Sequence, residues 1–199
     1  MATQPLPTTL ASAVWPSRPD RRAALLRAVL LALAGTALLT LSAKLKVPFY
    51  PVPMTMQTLV VLVLGAAFGT RLAMATVALY LVEGALGLPV FADTPERGIG
   101  LAYMAGPTGG YLVGFVAGAG LVGWLCERGF GRSLLGMGAA MALGHAVIFA
   151  FGFGWLATLY GPSVAWTAGV APFALATLLK TALGTAMVPA LWALLDRRS

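Results

Sequence analysis

Two ionisable residues interrupt long apolar runs: Glu83 in "YLVEGALGLPVFA" and Lys180 in "PFALATLLKTALG". A charge at that depth in a lipid-solvated chain costs several kcal/mol unless it is paired or hydrated, so each marks a candidate functional position. Arg97 lies in the loop between these runs. If it meets Glu83 and Lys180 at one cavity, two cations and a carboxylate gather there. That set suits a ligand with a carboxylate and hydrogen-bonding groups. The alternative for Lys180 is a snorkelling stem that carries its ammonium to the interface. Gln57, Thr55, Tyr103 and Tyr111 are polar groups near the same side, as interface anchors or ligand contacts. His145 stands without clustered Asp, Glu or Cys, which points to packing or a helix–helix hydrogen bond and not to a metal. No Ser–His–Asp set and no catalytic carboxylate pair can be assembled from the apolar runs.

The stretch "RGIGLAYMAGPTGGYLVGF" (97–115) is glycine-rich between apolar flanks. Irregular backbone at membrane depth is tolerated where it lines a cavity. Gly106-Pro107-Thr108-Gly109-Gly110 therefore predicts a close turn at a cavity mouth and the start of a helix, whose free N–H groups can receive an anion or polar ligand. No Gly-Lys-Ser/Thr follows, so this is not a nucleotide-binding loop.

These residues need elements to hold them. The chain has 199 residues, 59% hydrophobic and 10% charged, with a mean hydropathy of +0.88. Soluble domains carry about 25% charged residues, so lipid is the expected solvent. The reading is an all-α membrane protein with six transmembrane helices, at about 24–42, 54–69, 71–88, 109–126, 133–157 and 173–195. Thr70-Arg71 makes a very tight join between the second and third. Residues 1–20 read as a disordered cytoplasmic tail, and 21–199 as one substrate-binding transmembrane domain. Cys126 is the single cysteine, which excludes an intrachain disulfide.

The net charge of +7 does not form a stripe on one helix, which argues against nucleic acid. The charges flank the apolar runs. With the N-terminus inside, Arg18, Arg21, Arg22, Arg27, Arg71, Arg128, Arg132, Arg197 and Arg198 fall on inner edges, and Lys44, Lys46 and Arg97 on outer ones. That asymmetry predicts both termini in the cytoplasm of a cell whose inner (plasma) membrane holds the chain. Ala24, Ala28, Ala32 and Thr36 repeat every fourth residue, a smooth strip for internal packing or for docking another membrane protein.

On "VPFYPVPMTMQTL" (47–59), "EGALGLPVFA" (83–92), "GPTGGYLVGF" (106–115) and the "PF…LLK" element (172–180), the chain resembles the BioY family. These are biotin-binding S components of energy-coupling factor (ECF) transporters, and the resemblance covers about residues 25–195. It implies a six-helix bundle that captures biotin from the outer side, with biotin as transported ligand and no cofactor. It also implies partners: an EcfT-like transmembrane coupling protein and two ATP-binding-cassette ATPases. By the same resemblance Ala24, Ala28 and Ala32 would dock the coupling protein. Glu83, Arg97 and Lys180 would line the biotin pocket. Family members often carry an acid one turn before the helix-six lysine, where this chain has Thr177. Biotin's carboxylate would meet Lys180 or Arg97, its urea Glu83 or Gln57, and its ring Tyr111 or Trp155. Competing readings are an S component for another vitamin, a small secondary carrier, and a membrane-embedded enzyme. The carrier would show an internal repeat, and the enzyme a catalytic set.

Overall fold

The computed structural model describes residues 9–16, 19–48 and 54–197. It is helical almost throughout. The helices are α1 (Leu10–Val14), α2 (Arg21–Lys44), α3 (Gln57–Phe68), α4 (Thr70–Ala85), α5 (Gly100–Met104), α6 (Gly109–Glu127), α7 (Leu134–Tyr160), α8 (Pro162–Gly169) and α9 (Ala174–Asp196). A two-residue ribbon joins α2 to α3, with Lys46 paired to Thr55 and Val47 to Met54.

Among the described residues four stretches are long and apolar enough to cross a membrane: α2, α6, α7 and the segment Pro162–Asp196 that contains α8 and α9. Helices also occupy the second and third expected positions, but α3 has 12 residues and α4 has 16. At 1.5 Å per residue they are about 18 and 24 Å long. A single glycine, Gly69 at φ +78°, turns the chain between them. The tight join is therefore as expected, placed one residue earlier.

Helix α6 is the centre of the packing. Twelve of its 19 residues are buried, six of them glycines. A Cβ on Gly114 would stand 2.9 Å from Ile148 Cα, and one on Gly118 3.2 Å from the Gly144 carbonyl. Glycines at this spacing let α6 and α7 approach backbone to backbone, which is how helices gain dispersion energy in lipid. On the opposite side, a Cβ on Gly65 of α3 would lie 2.6 Å from the Ala119 carbonyl. In contrast, α2 buries only Gly35, Thr36, Leu39, Ser42 and Ala43 and turns seven Leu and Val side chains outward, including Leu25, Leu33 and Leu41. An apolar outer face of that width belongs against hydrocarbon.

The bundle has two chemically distinct ends. At one, the Glu127 carboxylate caps α4, accepting from Thr70 N and Thr70 Oγ1 at 2.8 Å each. Arg128 stacks on Trp124, and Arg132 meets both Trp192 and Asp196. At the other, α2, the ribbon, the 86–99 loop and α5 come together. Seven of the nine basic residues expected inside lie at the first end or on the turns of α2 nearest it. Arg18 and Arg198 are outside the described residues.

The expectation of a disordered tail over 1–20 is corrected for residues 9–16. Thr9 and Ser12 form a capping box, Leu10 is buried in the core, and Arg27 Nη2 donates to the Ala11 carbonyl at 2.7 Å. A buried leucine and a reciprocal cap, worth about 1 kcal/mol, outweigh the polar composition around them. Residues 1–8 and 17–18 lie outside the described residues, as does 49–53 of the "VPFYPVPMTMQTL" motif.

Candidate functional site

Helix α9 buries one residue per turn: Ala176, Lys180, Gly184, Val188 and Trp192. Lys180 thus sits on the inward stripe, 6% exposed. Its Nζ donates to Thr58 Oγ1 at 3.1 Å, across to the first turn of α3. Among the described residues it has no ion pair with any carboxylate. The snorkelling alternative is overturned, because the ammonium turns into the bundle. Gly184 one turn on makes the approach possible, since a Cβ there would meet Leu59 and Met141.

The next residue, Thr181, reaches His145 of α7, with Oγ1 3.1 Å from Nδ1. The Met141 carbonyl is 3.0 Å from the same nitrogen. A carbonyl only accepts, so Nδ1 carries the proton and Nε2 of the neutral ring is an acceptor. Nε2 is buried without a hydrogen-bond partner among the described residues. The expected helix–helix hydrogen bond of His145 is present. The structure brings Thr58 to Lys180 and Thr181 to His145, contacts that were not expected from the sequence. Their signal lay in the sequence only as polar residues adjoining Gln57 and Lys180.

Gln57 is buried beside Thr58, and its Nε2 donates to Tyr80 Oη at 2.7 Å. Tyr80 in turn donates to the Val90 carbonyl at 2.9 Å. The first turn of α3 therefore touches both Lys180 and the 86–99 loop. That loop is pinned over the end of the bundle by Phe91, 1% exposed. Its ring stacks on Tyr103 at 5.0 Å and meets Tyr80 edge-on at 5.4 Å. The Tyr103 hydroxyl donates to the Ala92 carbonyl at 2.8 Å.

The other expected residues are dispersed. Glu83 is half-buried near the end of α4 and forms no ion pair among the described residues. Thr177 is half-buried one turn before Lys180 on α9. Tyr111 donates to the Gly169 carbonyl at 2.7 Å and lies against Gly152, so its hydroxyl ties α6 to the end of α8. Trp155 donates to the Gly106 carbonyl at 2.8 Å. The 106–110 turn is present and α6 starts at Gly109, as expected. Its glycines serve close packing: side chains at Gly109 or Gly110 would collide with Met104, Phe151 or Trp155.

Arg97 is the clear correction. Its side chain is 73% exposed and lies 3.4 Å from Asp93. It does not join Lys180. It lines a separate cleft of about 330 Å³ with Ala43, Lys44, Lys46, Asp93, Thr94 and Glu96. There Lys46 pairs with Asp93, and Lys44 Nζ donates to Thr94 O at 2.6 Å and Oγ1 at 2.8 Å. The contact from Lys46 is the main reason the Asp93 carboxyl is held below the usual carboxylate range, against the opposing effect of partial burial. A nearby local carboxylate outcompetes a distant pocket for an exposed guanidinium.

Ala24, Ala28 and Ala32 are half-buried on α2, in line with the stripe that continues through Thr36, which is buried.

Comparison with known proteins follows the same lines. The sequence model of a family described as "BioY family" matches residues 12–197. A protein of Pyrococcus horikoshii named "Probable biotin transporter BioY" is 35% identical over 146 residues, covering 73% of this chain and 84% of that protein. The "Biotin transporter BioY" of Thermotoga maritima is 37% identical over 119 residues, 57% of this chain and 69% of that protein. A crystal structure described as the S-component for biotin from an ECF-type ABC transporter superposes with a TM-score of 0.72. It covers 88% of this chain and 95% of that one at 19% identity, which establishes a shared fold.

Proposed function

Because the chain belongs to the BioY family, we propose that it is a membrane-embedded S component that captures biotin and passes it to an ATP-driven coupling module. The observation that carries the biotin assignment is the 35% identity, across most of both chains, to a relative named as a biotin transporter. The site chemistry agrees with it. Biotin offers a carboxylate, urea N–H donors and an apolar ring. The deep cluster offers an ammonium with one neutral partner, the vacant His145 acceptor and a largely apolar surround. A charge-assisted bond replaces the weaker one from Lys180 to Thr58 when the carboxylate arrives. In this reading Glu83, Gln57 and Thr177 are the further contacts for the ligand's polar groups, and Tyr111, bonded to the Gly169 carbonyl, sets the α6–α8 wall.

In this reading α3 and α4 also traverse the membrane, which makes six spans, and the loop end faces outward. Both termini are then cytoplasmic. The partners are an EcfT-like coupling protein and two ABC ATPases, met along Ala24, Ala28 and Ala32. Trp at Ala28 and Ala32 should abolish co-purification with a coupling protein and leave biotin binding intact. Loss of binding instead would assign the strip to internal packing.

Mass spectrometry of the purified protein, with isothermal titration after ligand removal, tests the function. Bound biotin is the expected result. A different bound vitamin, or no heat with biotin, rejects it.

A further inference from the structure

We infer that the lip of the α4–α6 seam, formed by Arg71, Trp124 and Arg128, holds the phosphate of an anionic phospholipid. The inference is independent of the biotin reading and rests only on the chain lying in a membrane. The Glu127 carboxylate accepts from Thr70 N and Oγ1 at 2.8 Å each, which fixes the start of α4 against the end of α6. Arg71 follows Thr70 and Arg128 follows Glu127, so two arginines far apart in sequence flank one contact. Both are exposed. The Arg128 guanidinium lies 3.7 Å from the centre of the Trp124 ring, and its Nη1 donates to the Trp124 carbonyl at 3.1 Å. It is thereby held at the end of α6. The seam itself is close. A Cβ on Gly123 would stand 2.6 Å from Thr70 N, and one on Gly120 2.7 Å from Met74 Sδ. Arg71 precedes Met74 by about one turn and Trp124 follows Gly120 by about one, so both belong to this seam.

Charge decides the occupant. The three side-chain carboxylates at this end are already engaged within the chain. Asp20 caps α2, Glu127 caps α4 and Asp196 meets Arg132. Arg71 and Arg128 form no ion pair among the described residues. Two guanidiniums beside one carboxylate that is spent on Thr70 leave an excess of positive charge. A guanidinium matches a phosphate in geometry as well as in charge. The surroundings select a lipid phosphate over one free in water. Along the chain on either side of Arg128, Trp124, Phe130, Leu134 and Leu135 are 44%, 37%, 61% and 91% exposed. Apolar side chains so exposed belong at the membrane–water boundary, where Trp concentrates and headgroup phosphates lie.

Native mass spectrometry of the full chain in detergent, mixed with equal amounts of phosphatidylglycerol and phosphatidylcholine, tests this. The unaltered chain should retain phosphatidylglycerol in preference. Arg71→Gln/Arg128→Gln should weaken that retention about 10- to 30-fold, the effect of two basic side chains near an anionic surface. Arg21→Gln/Arg22→Gln removes the same charge from the same end and should weaken it far less. Glycerol 3-phosphate, which has the phosphate without the acyl chains, should not displace the lipid even in large excess. Equal retention of both lipids by the unaltered chain, or equal losses in both double variants, would mean that the arginines act only as part of a diffuse positive rim, and the inference fails. Displacement by glycerol 3-phosphate would make the lip a site for a soluble phosphate and overturns the lipid assignment. None of these outcomes measures biotin, so the proposed function stands or falls separately.

Discussion

Lys180 and Arg97 are cations of one chain that the sequence places near the same mouth, and the structure gives them opposite surroundings. Lys180 is 6% exposed, faces one hydroxyl and has no ion pair among the described residues. The Arg97 side chain is 73% exposed and shares Asp93 with Lys46. A buried ammonium without an anion is a high-energy arrangement that a ligand carboxylate relieves. An exposed guanidinium beside a carboxylate is already satisfied and screened. Under the proposed function the first is the anchor of the ligand's carboxylate, and the second stays with its own loop.

The largest expected effect comes from the scaffold beneath the deep site. Gly114→Leu forces α6 away from Ile148 and Phe151 and so displaces α7, which carries His145. It should cost at least about 3 kcal/mol, as expected of overpacking and more where backbone is hit. Biotin binding should be lost in thermal-shift and titration assays. The Lys46–Asp93 contact does not depend on that helix pair. If Gly114→Leu binds normally, the deep site does not depend on the α6–α7 approach.

Next in size is a kinetic division. Lys180→Met should raise the biotin dissociation rate and leave association nearly unchanged, because it truncates a buried partner. Lys46→Gln/Arg97→Gln, at exposed charges outside the deep cluster, should leave the dissociation rate unchanged. Surface-plasmon traces that show the same rate affected in both variants would erase the distinction between the two regions.

The smallest effect concerns pH. Asp93 has a folded pKa below the ordinary carboxylate range, with Lys46 as main cause. Its contribution is complete above the unfolded value near 3.9 and is lost as pH falls through the lower folded value. Hydrogen exchange across residues 90–97 should therefore stay flat from pH 7 to about pH 4, after correction for intrinsic rates, and rise only below. Loosening between pH 7 and 5 would assign the loop's hold to another group.

Much of this arrangement was legible in the sequence. The six apolar runs are helices with ends within three residues of those expected, because lipid solvent leaves continuous hydrophobicity as the dominant signal. Lys180 was legible for the same reason, as a charge where none is cheap. The partners of the loop cations were not. Asp93 competes for Arg97 through a fold of the 86–99 loop that no periodicity encodes. Thr58 and Thr181 are ordinary threonines until α3, α7 and α9 bring them to Lys180 and His145. Helix α1 was hidden because five residues with one buried leucine carry no periodic signal within a polar segment.

The most direct test of the account is titration of the unaltered chain and Lys180→Met with biotin and with biotin amide. Hydrogen bonds to charged groups contribute about 1.5–3 kcal/mol net, so Lys180→Met should weaken biotin binding about 10- to 150-fold. It should leave amide binding within a factor of about 2. Equal losses for both ligands would mean that Lys180 shapes the pocket without recognising the carboxylate, and no loss for either would contradict the deep site altogether.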